Sequence, residues 1–169
     1  SAIFKIPEGI SYETATLAEP VMCVYPHVSQ TVQFRDRVVV LGVGALGFAS
    51  MCIAKGMGAK QIVAVDLDDA KLEFAKAHGA DVVINPNTVD NVADAIWEAT
   101  DGEGADSVLE VTGEPECIQL LPYITKFGGR IGQIGACCKL VPVDWSYFHF
   151  RGLSINKCVV GSGMINAHN

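Results

Sequence analysis

Six short apolar runs, separated by stretches of helical pattern, dominate this chain. We predict strands at Arg37–Leu41, Gln61–Asp66, Asp81–Ile84, Ser107–Val111, Gly129–Ile134 and Leu153–Val160. The runs are nearly continuous rather than alternating, which is typical of parallel strands buried on both faces. The pattern therefore predicts an α/β domain with a doubly wound parallel six-stranded sheet.

Helical patterns fill the spaces between these strands. They predict helices over 45–55, in a segment that ends at Gly79, over 92–99 before an Asp-Gly pair, and over 114–123. In the second of these helices, Leu72 and Ala75 are expected to face inward. Gly79 is a suitable C-terminal stop for that helix.

The junction between the first strand and its helix carries three glycines, Gly42, Gly44 and Gly47, in GxGxxG spacing. The first glycine permits a tight turn, the second lets a pyrophosphate approach the backbone, and the third allows close packing of helix on sheet. The helix then begins at Ala45 and Leu46, where free N–H groups and the helix dipole favour phosphate. The sequence therefore predicts a Rossmann fold that binds a dinucleotide.

The second strand ends in Asp66, nineteen residues after Gly47. A carboxylate at this position can accept hydrogen bonds from both hydroxyls of the adenosine ribose and would repel a 2′-phosphate. Asp68 and Asp69 add negative charge nearby. We therefore expect NAD rather than NADP as the cofactor.

The first thirty residues do not fit the sheet pattern. Ser11 can cap a helix that continues over 14–18, Pro20 suits a helix first turn, and Pro26 is expected to break or kink the chain after it. We predict a connecting helical segment over 1–30, an NAD-binding domain over 31–163 and a tail over 164–169.

Composition narrows the class of protein. The 169 residues are 50% hydrophobic and carry a net charge of −7, which suits one domain and argues against nucleic acid and anionic membranes as partners. The uncharged stretch 38–54 contains three glycines, so strand, turn and helix explain it better than a membrane span. The six cysteines form no CxxC pair, which favours a reducing, cytoplasmic protein without a structural zinc site.

Further short motifs recur along the chain. They are Glu19-Pro20, the glycine turn, Asp66 with Lys71, His78-Gly79-Ala80-Asp81, Gly104-Ala105-Asp106, Glu110-Val111-Thr112-Gly113 and Gly128-Gly129-Arg130-Ile131. With them the chain resembles the nucleotide-binding half of the zinc-dependent medium-chain alcohol and polyol dehydrogenases, in particular the threonine and polyol branches. Such enzymes carry a preceding catalytic domain, so the chain resembles an isolated cofactor domain.

The resemblance implies roles for several residues. Lys71 matches a lysine that contacts the ribose, although a surface lysine is an equal alternative. Val111, Thr112, Ile134 and Gly135 would line the path from adenosine to nicotinamide, and Val159 would hold the carboxamide, with core packing as the alternative. Glu19 matches a carboxylate near the catalytic zinc, or it is only a favourable acid at a helix start.

The function implied is that of an NAD-dependent oxidoreductase. In the intact enzyme, zinc would polarise a small alcohol or polyol, which would give hydride to nicotinamide. This chain alone is expected to be inactive because it holds no complete catalytic set. The alternatives are a non-catalytic NAD-sensing module and a methyltransferase-type nucleotide domain.

The last predicted strand, Leu153–Val160, is expected at a sheet edge and carries one charge. A poorly protected edge favours pairing with another copy. The resemblance implies that this strand pairs across a dimer, so we expect a homodimer or a higher oligomer through it.

Overall fold

Six parallel strands form one sheet in the order β3-β2-β1-β4-β5-β6. The computed structural model describes residues 5–156. Its strands are β1 (Arg37–Leu41), β2 (Gln61–Val65), β3 (Val82–Ile84), β4 (Ala105–Glu110), β5 (Thr125–Gln133) and β6 (Ser154–Asn156). The order reverses between β1 and β4, where the crevice of a doubly wound sheet opens. The predicted six-stranded parallel fold is confirmed.

Helices cover both faces of the sheet. They are α1 (Tyr12–Ala15), α2 (Ala18–Thr31), α3 (Ala45–Gly56), α4 (Asp69–Ala77), α5 (Val92–Ala99), α6 (Pro115–Ile124) and α7 (Trp145–Arg151), with a 3-10 turn at Pro86–Thr88. Several begin at side-chain caps, because Ser11, Asp68, Asn91 and Asp144 each accept a hydrogen bond from the first turn of the adjoining helix.

The core has two layers because strand residues alternate between the faces. Val38 and Val40 pack into the layer that includes α3 and α4, whereas Val39 and Leu41 pack into the layer that includes α5 and α6. All four side chains are buried. This two-sided burial explains why the strands read as continuous apolar runs.

The N-terminal helices differ from the expectation in two respects. Pro26 does not break the chain's helical course, since α2 runs through it to Thr31. The predicted boundary after residue 30 falls inside α2, and Val24 and Val28 on this helix are completely buried. The apolar face of α2 is thus part of the domain core.

Most predicted strand boundaries differ from the observed ones by at most a single residue, but the starts of β4 and β5 differ by more, and one helix was not predicted. Strand β4 starts at Ala105 rather than Ser107, β5 starts at Thr125 rather than Gly129, and their pairing has a register irregularity between Ala105 and Ser107. Helix α7 was not predicted. It is capped by Asp144 and ends at Gly152 in the left-handed conformation (φ 62°).

Strand β6 pairs with β5 and is the last strand at that edge of the sheet as described. Its described part is Ser154–Asn156, and the predicted continuation to Val160, including Val159, lies outside the described residues. Within 5–156, no helix has the length and apolar character that crossing a membrane requires.

Candidate functional site

The three glycines form a turn that only partly needs glycine for its own geometry. Gly42 has φ +85°, and a Cβ there would lie 2.6 Å from Cγ2 of Thr112. A Cβ on Gly47 would overlap the carbonyl oxygen of Gly42. Gly44 has φ −63° and open space where its Cβ would be. The protein itself therefore requires glycine at 42 and 47, whereas the space at Gly44 is available to a ligand.

The N-terminus of α3 faces the same space. Gly44 is its N-cap residue and provides no side-chain hydrogen bond. Ala45 and Leu46 form the exposed first turn, and the first backbone hydrogen bond runs from Phe48 N–H to the carbonyl of Gly44. The N–H groups of this turn and the positive end of the dipole are thus suited to a phosphate.

Asp66 reaches back from the end of β2 to the glycine turn. Its Oδ2 accepts a 2.8 Å hydrogen bond from the N–H of Val43, and its Oδ1 accepts one of 3.1 Å from Asp68 N–H. Each carboxylate oxygen can accept a second bond. The side chain is 12% exposed, so Asp66 can still accept hydrogen bonds from a ligand at the crevice.

Lys71 lies beside this acid on α4. Its Nζ is 3.9 Å from Oδ1 of Asp66 and 3.9 Å from Oδ2 of Asp68. The side chain is half exposed, so these ion pairs add little stability. The structure thus places Lys71 beside Asp66, and its ribose contact stays a prediction.

The loops after β4 and β5 meet at the carboxyl edge of the sheet. A Cβ on Gly135 would overlap the backbone nitrogen of Gly113, which shows how closely the two loops approach. Val111 and Ile134 are half-buried and pack against the core, and Thr112 is exposed. The hydroxyl of Thr112 donates to Glu110 Oε1 (2.5 Å) and accepts from Glu114 N–H (3.0 Å). Its hydroxyl hydrogen is thus used within the protein, and Thr112 forms part of the crevice wall.

Glu110, at the end of β4, was missed as a site residue. Its carboxylate is completely buried and accepts hydrogen bonds from the loop after β4 and from the Gln133 side chain at the end of β5. A signal was present in the sequence, because this acid follows the buried pair Val108-Leu109 and directly precedes the Val-Thr-Gly segment.

Glu19, the predicted zinc ligand, lies in the first turn of α2. The described residues contain no group of three or more histidine, cysteine, aspartate or glutamate side chains that could hold a metal ion. The Cys23 thiol donates a 3.2 Å hydrogen bond to Glu19 Oε1, and this bond raises the pKa of the thiol. A catalytic zinc needs three protein ligands and binds thiolate rather than thiol. The described residues therefore do not form a zinc site by themselves.

The sheet order and the glycine turn define a Rossmann-type α/β domain. Residues 45–168 match the family model described as zinc-binding dehydrogenase. The chain belongs to this family of zinc-dependent medium-chain dehydrogenases, and the resemblance inferred from the motifs is confirmed.

Relatives and solved structures agree with this assignment. The chain is 34% identical over 139 residues to sorbitol dehydrogenase 1 of Saccharomyces cerevisiae, covering 79% of this chain and 39% of that protein. It is 32% identical to L-threonine 3-dehydrogenase of Yersinia enterocolitica, covering 95% of this chain and 47% of that protein. The crystal structure of 2R,3R-butanediol dehydrogenase from Bacillus subtilis has a TM-score of 0.85 and 26% identity, covering 97% and 47%. The chain thus spans less than half the length of these relatives.

Proposed function

We propose that this chain is the NAD(H)-binding domain of a dehydrogenase that acts on a secondary alcohol or polyol. The observation that carries the proposal is the pairing of two features across the glycine turn. One is the uncapped N-terminus of α3 with open space at Gly44, and the other is Asp66 held 2.8 Å from the N–H of Val43. Together they offer an anion site and a ribose acceptor within one crevice.

The predicted residues at the glycine turn and at the end of β2 each have a binding task in this proposal. The N–H groups of Ala45, Leu46 and Gly47 face the pyrophosphate, and Asp66 accepts hydrogen bonds from the ribose hydroxyls. Asp66 also disfavours a 2′-phosphate, which supports NAD over NADP. The bound nicotinamide supplies hydride transfer, and the domain binds and orients it.

The catalytic step belongs to the longer protein. Glu19 would contribute one ligand to the zinc of that protein, with the other ligands outside residues 5–156. The sorbitol and threonine enzymes among its relatives support a small hydroxylated substrate.

The proposal is tested by calorimetry of the purified chain with NADH and with S-adenosylmethionine. We expect saturable NADH binding and none of S-adenosylmethionine. Binding of S-adenosylmethionine alone would support the methyltransferase-type alternative and overturn the proposal. The absence of NADH binding would by itself also overturn the proposal.

A further inference from the structure

Glu110 joins the two loops that close the crevice on the side of β4 and β5. Its Oε1 accepts from the N–H groups of Thr112 (2.8 Å) and Gly113 (3.0 Å), and its Oε2 accepts from the side-chain amide of Gln133. The backbone carbonyl of Glu110 also accepts from Ile134 N–H at 2.8 Å and from Gly135 N–H at 2.9 Å. One residue therefore organises both segments.

The Glu110 carboxylate has no exposed surface, and within residues 5–156 it forms no ion pair with a lysine, arginine or histidine. A buried charge of this kind is tolerated only when its acceptor sites are filled by hydrogen bonds. The loop after β4 and the Gln133 side chain at the end of β5 are consequently fixed in place, because moving either away would leave the charge unsatisfied. Gln133 in turn donates to the carbonyl of Gly135 in the loop after β5.

We propose that Glu110 is a positioning residue that fixes the crevice wall for the nicotinamide half of the dinucleotide. This inference rests on the proposed function. The adenosine half belongs at Asp66 and the glycine turn, on the β1–β2 side. The rest of the ligand must then extend along the crevice between β1 and β4, toward the loops after β4 and β5.

The adenosine side does not depend on this carboxylate. Gly42 N–H donates to the carbonyl of Val65 (2.8 Å), and Val43 N–H donates to Asp66 (2.8 Å). These bonds hold the glycine turn to β2. Loss of the Glu110 carboxylate should therefore disturb one half of the crevice more than the other.

The test is Glu110→Gln, titrated by calorimetry with ADP and with NADH. The amide places a donor at one of the two positions where the carboxylate now accepts, so either the N–H groups of Thr112 and Gly113 or the Gln133 side chain loses its acceptor. We expect NADH affinity to fall about tenfold, while ADP affinity stays within about twofold. The fluorescence enhancement of bound NADH should also fall, because it reports on the nicotinamide environment.

Asp36→Asn is the matched control. Asp36 is another buried carboxylate, and it accepts from Gln33 N–H, Ser107 and Arg130 just before β1, at the opposite end of the strands. We expect it to lower the melting temperature without changing the ratio of NADH to ADP affinity. A change in that ratio equal to the one in Glu110→Gln would mean general destabilisation and would overturn the inference.

A second variant protects the test if Glu110→Gln does not fold. Gln133→Leu removes the donor to Glu110 Oε2 and to the carbonyl of Gly135 (3.0 Å) and leaves the carboxylate in place. The same selective loss of NADH affinity is expected. If ADP and NADH binding are weakened equally, or if neither is weakened, the role of Glu110 is overturned. NADH binding by the unmodified chain would still support the proposed function in that case. If the unmodified chain binds no NADH, both fail.

Discussion

Gly47 packs its α-carbon against the carbonyl oxygen of Gly42, so closely that a β-carbon at position 47 would overlap that oxygen. Gly44, three residues earlier, has open space where its β-carbon would lie. Substitution of the two glycines should therefore have opposite effects on folding and on ligand binding, although both belong to one sequence motif.

We predict that Gly44→Val abolishes NADH binding and leaves the fold intact, because the valine side chain would occupy the pyrophosphate space. Gly47→Ala should instead destabilise the protein by about 1–3 kcal/mol, because helix and turn must separate. Thermal unfolding and NADH calorimetry on both variants check this. Normal NADH binding by a folded Gly44→Val protein would show that the turn is structural only.

Asp66→Ala should weaken NADH binding about tenfold to a hundredfold, since a hydrogen bond to a charged group contributes roughly 1.5–3 kcal/mol. It should also reduce the preference for NADH over NADPH. Calorimetry with both cofactors measures the change, and Glu73→Ala, an exposed acid on α4, is the charge-matched control. Equal affinity of the unmodified chain for NADH and NADPH would refute the cofactor preference.

Asp106, near the amino end of β4, gives the domain an acid-sensitive contact at the end of the strands opposite the crevice. Burial would raise the pKa of Asp106, but hydrogen bonds from the Lys126 ammonium and the Arg37 N–H (2.7 Å) outweigh it and lower that pKa. The folded state therefore holds this proton less strongly than the unfolded chain does. Its stabilisation is fully present above the unfolded pKa of about 3.9 and is lost as the pH falls through the lower folded value.

Asp106→Asn should accordingly lower the free energy of unfolding by about 1–3 kcal/mol near neutral pH. The difference from the unmodified protein should shrink as the pH falls below about 4. Urea unfolding over a pH series measures this, with the exposed Asp90→Asn as control. A difference that stays constant down to the acid limit would contradict the assignment.

Glu19 should protect Cys23 from alkylation. The hydrogen bond to Glu19 raises the pKa of the Cys23 thiol, and the thiolate is the reactive form. In Glu19→Ala, alkylation of Cys23 by iodoacetamide should therefore become faster at pH 8. Peptide mass spectrometry measures the rate, and the exposed Cys138 serves as internal control. An unchanged rate at Cys23 would show that the contact does not form in solution.

Sequence patterns predicted those features that depend on local regularity. Strand β1 has the predicted bounds, Arg37–Leu41, and the glycine turn and Asp66 meet as their spacing indicated. The same logic did not predict the extent of α2, which continues through Pro26 because Val24 and Val28 are buried against the rest of the fold. Periodicity does not report such contacts.

Glu110 illustrates a second limit. A charged residue at a strand end looks exposed in sequence, and its burial depends on donors from Gln133 on a neighbouring strand and from Gly113 in its own loop. Whether a buried carboxylate finds such hydrogen-bond donors depends on the tertiary structure. The ligand-lining roles of Val111 and Ile134 stay predictions, whereas the hydrogen bonds by which Glu110 links their segments became visible only in three dimensions.

Self-association provides the last prediction. Strand β6 pairs with β5 through Ile131 and Ile155, and the Ile155 residue is 40% exposed at the edge of the described sheet. An edge strand offers unpaired N–H and C=O groups, and a twofold contact would bury the same strand on both copies. We therefore expect a dimer at micromolar concentration, measured by light scattering. Ile155→Pro should shift the protein toward monomer, because proline removes a donor and disfavours pairing. The exposed Leu140→Pro, in the loop after β5, is the control and should leave the dimer unchanged. A monomeric unmodified chain, or a dimer that persists in Ile155→Pro, would rule out this interface.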